Sequence, residues 1–203
     1  MNLLDFLTPS PEIAKREGPD DTIVISSRVR LARNLKNISF PGWATKQDRI
    51  RAMDLMRPAV ENLPQMKDGF STIMDELSPL DKQLLIERHL ISREHAVKSA
   101  GSAVVMSKGE IFSIMINEED HLRMQALLPG FQLESAFNKI DEVDTLLEKQ
   151  LDYAFSSKLG YLTACPTNVG TGIRVSAMLH LPGIVLAEQI NQIIQAVNKL
   201  GLA

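Results

Sequence analysis

The stretch "DTIVISSRVRLA", residues 21–32, reads as a strand with an apolar start and a charged alternation after it. If residues 24 to 30 are extended, Ser26, Arg28 and Arg30 share one face and Ser27 and Val29 the other. "RVSAMLHL", residues 174–181, repeats the pattern, with Arg174, Ser176, Met178 and His180 on one face and Val175, Ala177 and Leu179 on the opposite one. Taken alone, each arginine pair is an ordinary exposed polar face. Arginines on shared faces also suit phosphate, because the guanidinium fork binds phosphate oxygens in pairs and stays charged.

Outward from these strands the periodicity switches between two and nearly four, which predicts a mixed domain. "SAVVMS" (102–107) and "EIFSIMIN" (110–117) form a hairpin through Lys108 and Gly109. "KQDRIRAMDLMRPAVENL" (46–63) reads as a helix whose second half Pro58 disfavours. In "SPLDKQLLIERHL" (78–90), Ser78 caps, Pro79 takes the first helical position, Asp81 favours the positive helix start and the helix ends near His89. Val143, Leu146, Leu147 and Leu151 mark one helix face, and "PGIVLAEQINQIIQAVNKLG" (182–201) reads as one more helix stopping at Gly201.

Bulk properties narrow the function classes. The 203 residues are enough for one substantial domain, and 44% hydrophobic with 23% charged residues is ordinary for a globular protein. A formal charge of −3 supplies no general basic field, so anion recognition falls to locally placed arginines and a nucleic-acid partner is not expected. The single cysteine, Cys165, makes no intrachain disulfide, and no signal peptide or membrane span is readable, so a cytoplasmic protein without a membrane partner is expected. "GTGIRV" lacks the lysine of a Walker phosphate loop, and no His-Glu-x-x-His or paired Cys-x-x-Cys pattern offers a metal site.

"INEEDHLRMQ" (116–125) is an apolar strand ending in Glu118, Glu119 and Asp120, followed by His121 and Arg123. Such a run is either a solvated turn or a seat for a cation beside the arginines. "GYLTACPTNVGTGIRV" (160–175) combines a lone thiol, a glycine-bearing loop and Arg174. Cys165 is a small buried hydrophobe on the bland reading, and a polarizable group near a ligand on the other.

"SSRVRLARNL", "NEEDHLRMQ" and "CPTNVGTGIR", in this order, resemble the ATP:guanido phosphotransferase family, closest to its bacterial protein-arginine kinase branch. "ERHLIS", "GYLTACPTNVGTG" and "NKLGL" fit the same branch, and the resemblance spans nearly the whole chain. It implies an α+β fold, an antiparallel β-sheet flanked by helices, with strands near residues 22–30, 102–117 and 174–181 in one sheet. Residues 1–20 are expected to be a leader and residues 21–203 a partial catalytic domain. In the family the chain continues into an Arg-Gly-x-x-Gly-Glu segment with one more phosphate arginine and a second acceptor carboxylate, so the domain is expected to be incomplete at its C-terminus.

Residue by residue, the resemblance implies that Ser26, Ser27, Arg28, Val29 and Arg30 line the nucleotide phosphates, His89 contacts the nucleotide, and Arg123 adds a clamp. Arg174, Val175, Ser176, Ala177 and Met178 continue that surface, Glu119 binds and orients the guanidinium, and Cys165 lies beside it. Met178 stands where creatine and arginine kinases usually carry histidine, which favours the protein-kinase branch. The implied activity is ATP-dependent phosphorylation of arginine side chains in proteins, with Mg2+ held through the nucleotide phosphates and no protein metal site. The alternative is a non-catalytic nucleotide- or partner-binding remnant. The implied partners are protein substrates bearing arginine, activator or protease-system proteins, and a second copy of the chain.

Overall fold

The computed structural model describes residues 3, 18–98 and 100–202, so the leader assigned to residues 1–20 falls mostly outside the described residues. Its centre is a six-stranded sheet of order β2-β3-β4-β5-β1-β8, formed by β1 (Val24–Arg33), β2 (Phe70–Ile73), β3 (Ala103–Met106), β4 (Phe112–Ile116), β5 (Leu122–Pro129) and β8 (Ile173–Leu179). Every neighbouring pair in it is antiparallel. The strands expected near residues 22–30, 102–117 and 174–181 therefore share one sheet.

Two helices cover one face. α1 (Lys46–Glu61) and α4 (Leu133–Glu148) bury Ala52, Met53, Met56 and Val60, and Ala136, Ile140, Val143 and Leu147, against Val29, Leu31, Ile114, Ile116, Met124 and Ala126. The opposite face is covered only toward the β2 edge. There α2 (Pro79–Glu87) and the residues after it, which lead into the short α3 (Arg93–Ala96), contribute Leu85, Leu90 and Ile91, which pack with Phe70, Val104, Met106 and Met115. Beyond that second cluster, the same face of β5, β1 and β8 carries the arginines.

Local chemistry explains the elements that were expected. Ser78 and Asp81 form a capping box at the start of α2, with Ser78 Oγ accepting from the Asp81 N–H at 3.2 Å and Asp81 Oδ2 from the Ser78 N–H at 3.1 Å. Ser78→Ala is expected to lower stability by about 0.5–2 kcal/mol. Thermal unfolding of wild type and variant checks it, and equal midpoints would mean that the cap contributes nothing. The β3–β4 hairpin forms through Lys108 and Gly109, with Gly109 at φ 82° and Glu110 at φ 64°.

Three expectations need correction. Helix α1 runs through Pro58, because the carbonyl that loses its partner belongs to Asp54, which lies on the exposed side of the helix where water replaces the bond. Leu151 lies beyond the end of α4, although it is still buried in the same core. Residues 182–201 form not one helix but two, α5 (Pro182–Leu186) and α6 (Ile190–Lys199). Glu188 adopts φ 56°, and the Glu188 and Gln189 N–H groups donate to Val185 O and Ile184 O, which closes the first helix before the second begins. Strand β5 has no counterpart in the sequence reading. Its first half does alternate, Leu122, Met124 and Ala126 against Arg123 and Gln125, but the acidic run before it and the apolar Leu127 and Leu128 after it interrupt the period.

Two smaller elements complete the cleft wall. β6 (Phe155–Ser156) and β7 (Gly160–Tyr161) form a short hairpin, and a 3-10 turn (Pro166–Asn168) follows Cys165. The described residues contain no helix long and apolar enough to cross a membrane.

Candidate active site

Strand register alone gathers the arginines. Arg28 and Arg30 of β1 stand opposite Ser176 and Arg174 of β8, and on the other side opposite Leu127 and Gln125 of β5, with Ala32 opposite Arg123. Residues directly paired across a sheet point to the same face, so Arg28, Arg30, Arg123 and Arg174 all emerge from the uncovered one. Arg28 Nε reaches Ser176 Oγ at 3.4 Å.

Such crowding is costly without an anion. Burial, then Arg28, Arg123 and Arg174, pull the Arg30 guanidinium down to about 10, and Arg30 Nε is buried without a hydrogen-bond partner among the described residues. Burial followed by Arg123 and Arg174 also lowers Arg28. Four guanidinium groups held together by the sheet, of which only Arg123 is paired with a carboxylate and one has a buried N–H unpartnered among the described residues, can bind a polyanion.

The acidic turn between β4 and β5 sorts its three carboxylates by role. Glu118, 1% exposed, accepts from Arg123 Nη1 at 2.7 and 2.8 Å, from Ser92 Oγ at 2.6 Å and from the Glu119 N–H at 3.0 Å. Burial raises it, but Arg123 and the two other donors outweigh burial and leave it below the ordinary carboxylate value. Asp120 is also buried and accepts from Asn34 Nδ2 and, at 2.6 Å, from the Ala164 N–H. These two are structural, so the solvated-turn reading is overturned for both.

Glu119 is the exposed member of the run. Among the described residues no hydrogen bond or ion pair ties its carboxylate, and burial, then Asp120 and Glu118, raise its pKa. It lines a cavity of about 100 Å³ together with Arg30, Arg123, Arg174, Cys165 and Gly172. Cys165 Sγ lies 3.0 Å from Thr167 Oγ1 and is only partly buried, which sets aside the buried-hydrophobe reading.

A second cavity of about 170 Å³ adjoins along the same face, lined by Ser26, Arg28, His89, Ser176, Ala177 and Met178. Burial and then Arg28 lower the His89 pKa, and Gln125 Nε2 donates to the His89 carbonyl at 2.6 Å, which holds His89 at the rim. The expected residues thus divide between two adjoining cavities, except for Ser27, Val29 and Val175. Ser27 and Val29 point to the helix-covered face, where Ser27 Oγ donates to Gly130 O at 2.8 Å and Val29 joins the core. Val175 faces the same way but is exposed at the sheet edge.

Several positioning residues escaped the sequence reading. Asn34 ties the site together, donating to Asp120 and to Leu162 O and accepting from the His121 N–H at 2.8 Å. Arg33 is buried against Asp144 at 2.6 Å, stacks 3.6 Å from the centre of the Tyr161 ring and donates to Thr171 O at 2.9 Å. A side chain at Gly172, φ 65°, would place Cβ 2.5 Å from Arg33 Nη1, so only glycine lets the loop reach Arg174 by this path. Asn34 and Arg33 both lie within "SSRVRLARNL", and their step out of the strand alternation was the available signal.

Comparison with known proteins agrees with this arrangement. Residues 51–203 match the ATP:guanido phosphotransferase C-terminal catalytic domain. The protein-arginine kinase of Pelotomaculum thermopropionicum is 49% identical over 189 residues, 92% of this chain and 53% of that protein. That of Geobacillus stearothermophilus is 48% identical over 189 residues, 92% of this chain and 52% of that protein. The chain therefore spans about half the length of the curated relatives it matches. Among solved structures, substrate-free duplicated taurocyamine kinase from Schistosoma mansoni superposes with TM-score 0.73 at 26% identity, over 90% of this chain and 26% of that one. Lombricine kinase shares the fold, with TM-score 0.75 at 23% identity over 93% of this chain and 57% of that one. With the arginine face, the acidic turn and the family match all in one chain, this protein belongs to the ATP:guanido phosphotransferase family.

Proposed function

We propose that the chain carries the nucleotide-binding and acceptor-orienting surface of a kinase that moves the γ-phosphoryl group of ATP to arginine side chains of proteins. The observation that carries this reading is the convergence of Arg28, Arg30, Arg123 and Arg174 beside a carboxylate, Glu119, that has no partner among the described residues. ATP phosphates would offset the burial and the repulsion that together lower Arg28 and Arg30, and an oxygen near Arg30 Nε would satisfy its buried N–H. The cavity lined by Ser26, His89 and Met178 then takes the rest of the nucleotide. Among the described residues no group of three His, Cys, Asp or Glu side chains is placed to hold a metal, and Mg2+ would be carried by the phosphate oxygens, where it offsets developing charge.

A guanidinium is a weak nucleophile because its lone pairs are delocalised and its pKa lies above about 12. Glu119 holds it by paired hydrogen bonds and accepts the proton lost as nitrogen bonds to the γ-phosphorus and the bond to the departing ADP oxygen breaks. A raised carboxyl pKa makes Glu119 a better base than an ordinary glutamate. Cys165, on the same wall, presents its sulfur to the guanidinium. This reading places the protein in the cytoplasm, with arginine-bearing proteins as substrates, activator or protease-system proteins as partners and a homodimer as its assembly.

Arg28→Ala is expected to weaken ATP binding by roughly 1.5–3 kcal/mol, the loss of a charge-assisted contact. Calorimetry on the folded variant checks it, and unchanged affinity would remove the phosphate role from this face. ATP binding without arginine phosphorylation, in a chain continued past Ala203 by the remaining half of the Pelotomaculum relative, would favour the non-catalytic alternative.

A further inference from the structure

Next to the arginine-lined cavity lies a larger one of about 570 Å³, whose lining includes Gly42, Trp43, Glu94, Lys98, Glu119 and Ala164. The two cavities share Glu119 and Arg123, so they meet at the carboxylate assigned to the acceptor. A volume of this size lies in the range of pockets that enclose whole organic ligands. A single guanidinium fills little of it.

Trp43 stands at its rim, 89% exposed, and is the chain's only tryptophan. Its turn is stiff. The Trp43 and Ala44 N–H groups both donate to Phe40 O at 2.9 Å, and Arg49 Nη1 donates to Ala44 O at 3.0 Å. The Phe40 ring meets His121 edge-on at 6.1 Å between centroids, which ties the turn to the residue that follows the acidic run. A large aromatic ring held out on a rigid turn loses little conformational freedom when a ligand covers it, which is how interface anchors gain affinity. The lining also carries Lys98 and Arg123, but Arg123 is paired with Glu118, and Glu94 and Glu119, neither with a hydrogen-bond or ion-pair partner among the described residues, outnumber Lys98 and leave the cavity net negative.

Resting on the proposed arginine-kinase reading, we infer that this cavity receives an extended polypeptide segment, its arginine reaching Glu119 and the adjoining residue packing on Trp43. Trp43 then determines specificity for peptide-borne over free arginine, since a free amino acid has no neighbouring residue to cover the ring. Glu94 adds attraction for cationic segments.

Because Trp43 is the only tryptophan, its emission reports directly on this site in the 203-residue chain. The probe is an acetylated, amidated pentapeptide with phenylalanine next to a central arginine, compared with its citrulline counterpart and with free arginine. The arginine peptide is expected to shift Trp43 emission to the blue and to saturate, whereas free arginine and the citrulline peptide bind more weakly without the shift. By calorimetry, Trp43→Ala is expected to weaken peptide binding roughly tenfold and to leave ATP affinity unchanged. No peptide binding at millimolar concentration, binding without an emission change, or equal peptide affinity in Trp43→Ala would each overturn the inference. The kinase reading fails separately, when the chain extended past Ala203 binds ATP and peptide but transfers no phosphoryl group.

Discussion

In a chain extended past Ala203 by the remaining half of the Pelotomaculum relative, Glu119→Gln is expected to lower arginine phosphorylation by about 10²–10⁴ while ATP binding stays nearly intact. The separation follows from the acidic turn. Glu118 is committed to Arg123 and Ser92, and Asp120 to Asn34 and Ala164, so neither is free to replace Glu119. Glutamine keeps the size and one acceptor oxygen but loses the negative charge and the basicity. The arginine face is untouched.

The same residue fixes the sign of the pH dependence. Glu119 must be ionised to hold the guanidinium, and burial with Asp120 and Glu118 raises its pKa above the ordinary carboxylate value. As pH falls through that raised pKa, kcat/KM should decline, at higher pH than an exposed glutamate would cause. In kcat the limb should lie at lower pH, because the bound cation favours the ionised form. Rate measurements from acid to neutral pH in wild type and variant test both. A short chain that phosphorylates arginine as fast as the extended one, with Glu119→Gln having no effect, would overturn the carboxylate mechanism.

Asp144→Asn is expected to destabilise the fold by about 3–5 kcal/mol, a large part of a typical domain's stability. Arg33 and Asp144 have side chains 4% and 7% exposed, and the guanidinium Nε and Nη2 both donate to the carboxylate, the shortest contact being 2.6 Å. Removing one charge strands the other in the interior. Arg33 keeps its bonds to Ala32 O and Thr171 O, so the loop before Arg174 remains anchored and the damage should appear mainly as lost stability. Urea unfolding of both proteins measures it, and a difference below about 1 kcal/mol would show that solvent reaches the pair in solution. Replacing both partners by apolar residues should cost less than Asp144→Asn, because no unpaired charge then stays buried.

What could be read in advance was governed by local chemistry. The alternation in "SSRVR" and "RVSAM" set which side chains share a face, since side-chain direction in a strand depends only on parity. Ser78, Pro79 and Asp81 determined where α2 begins, because a cap acts within one turn. The break at Glu188 escaped because both short helices continue one apolar period across it.

The amino-acid sequence alone therefore determined the paired strand faces, the start of α2, the family and the arginines that are proposed to meet phosphate. Tertiary structure decided which of them meet. Pairing of β1 with both β5 and β8 sets Arg123, Arg30 and Arg174 side by side, although Arg30 and Arg174 are far apart along the chain. It also gave three consecutive carboxylates different fates. Glu118 is ion-paired with Arg123 and hydrogen-bonded by Ser92, and Asp120 is hydrogen-bonded by Asn34 and Ala164 from other elements, while Glu119 is left to the cleft. No local pattern encodes that choice, because the partners of a buried charge come from segments that only folding brings within hydrogen-bond reach.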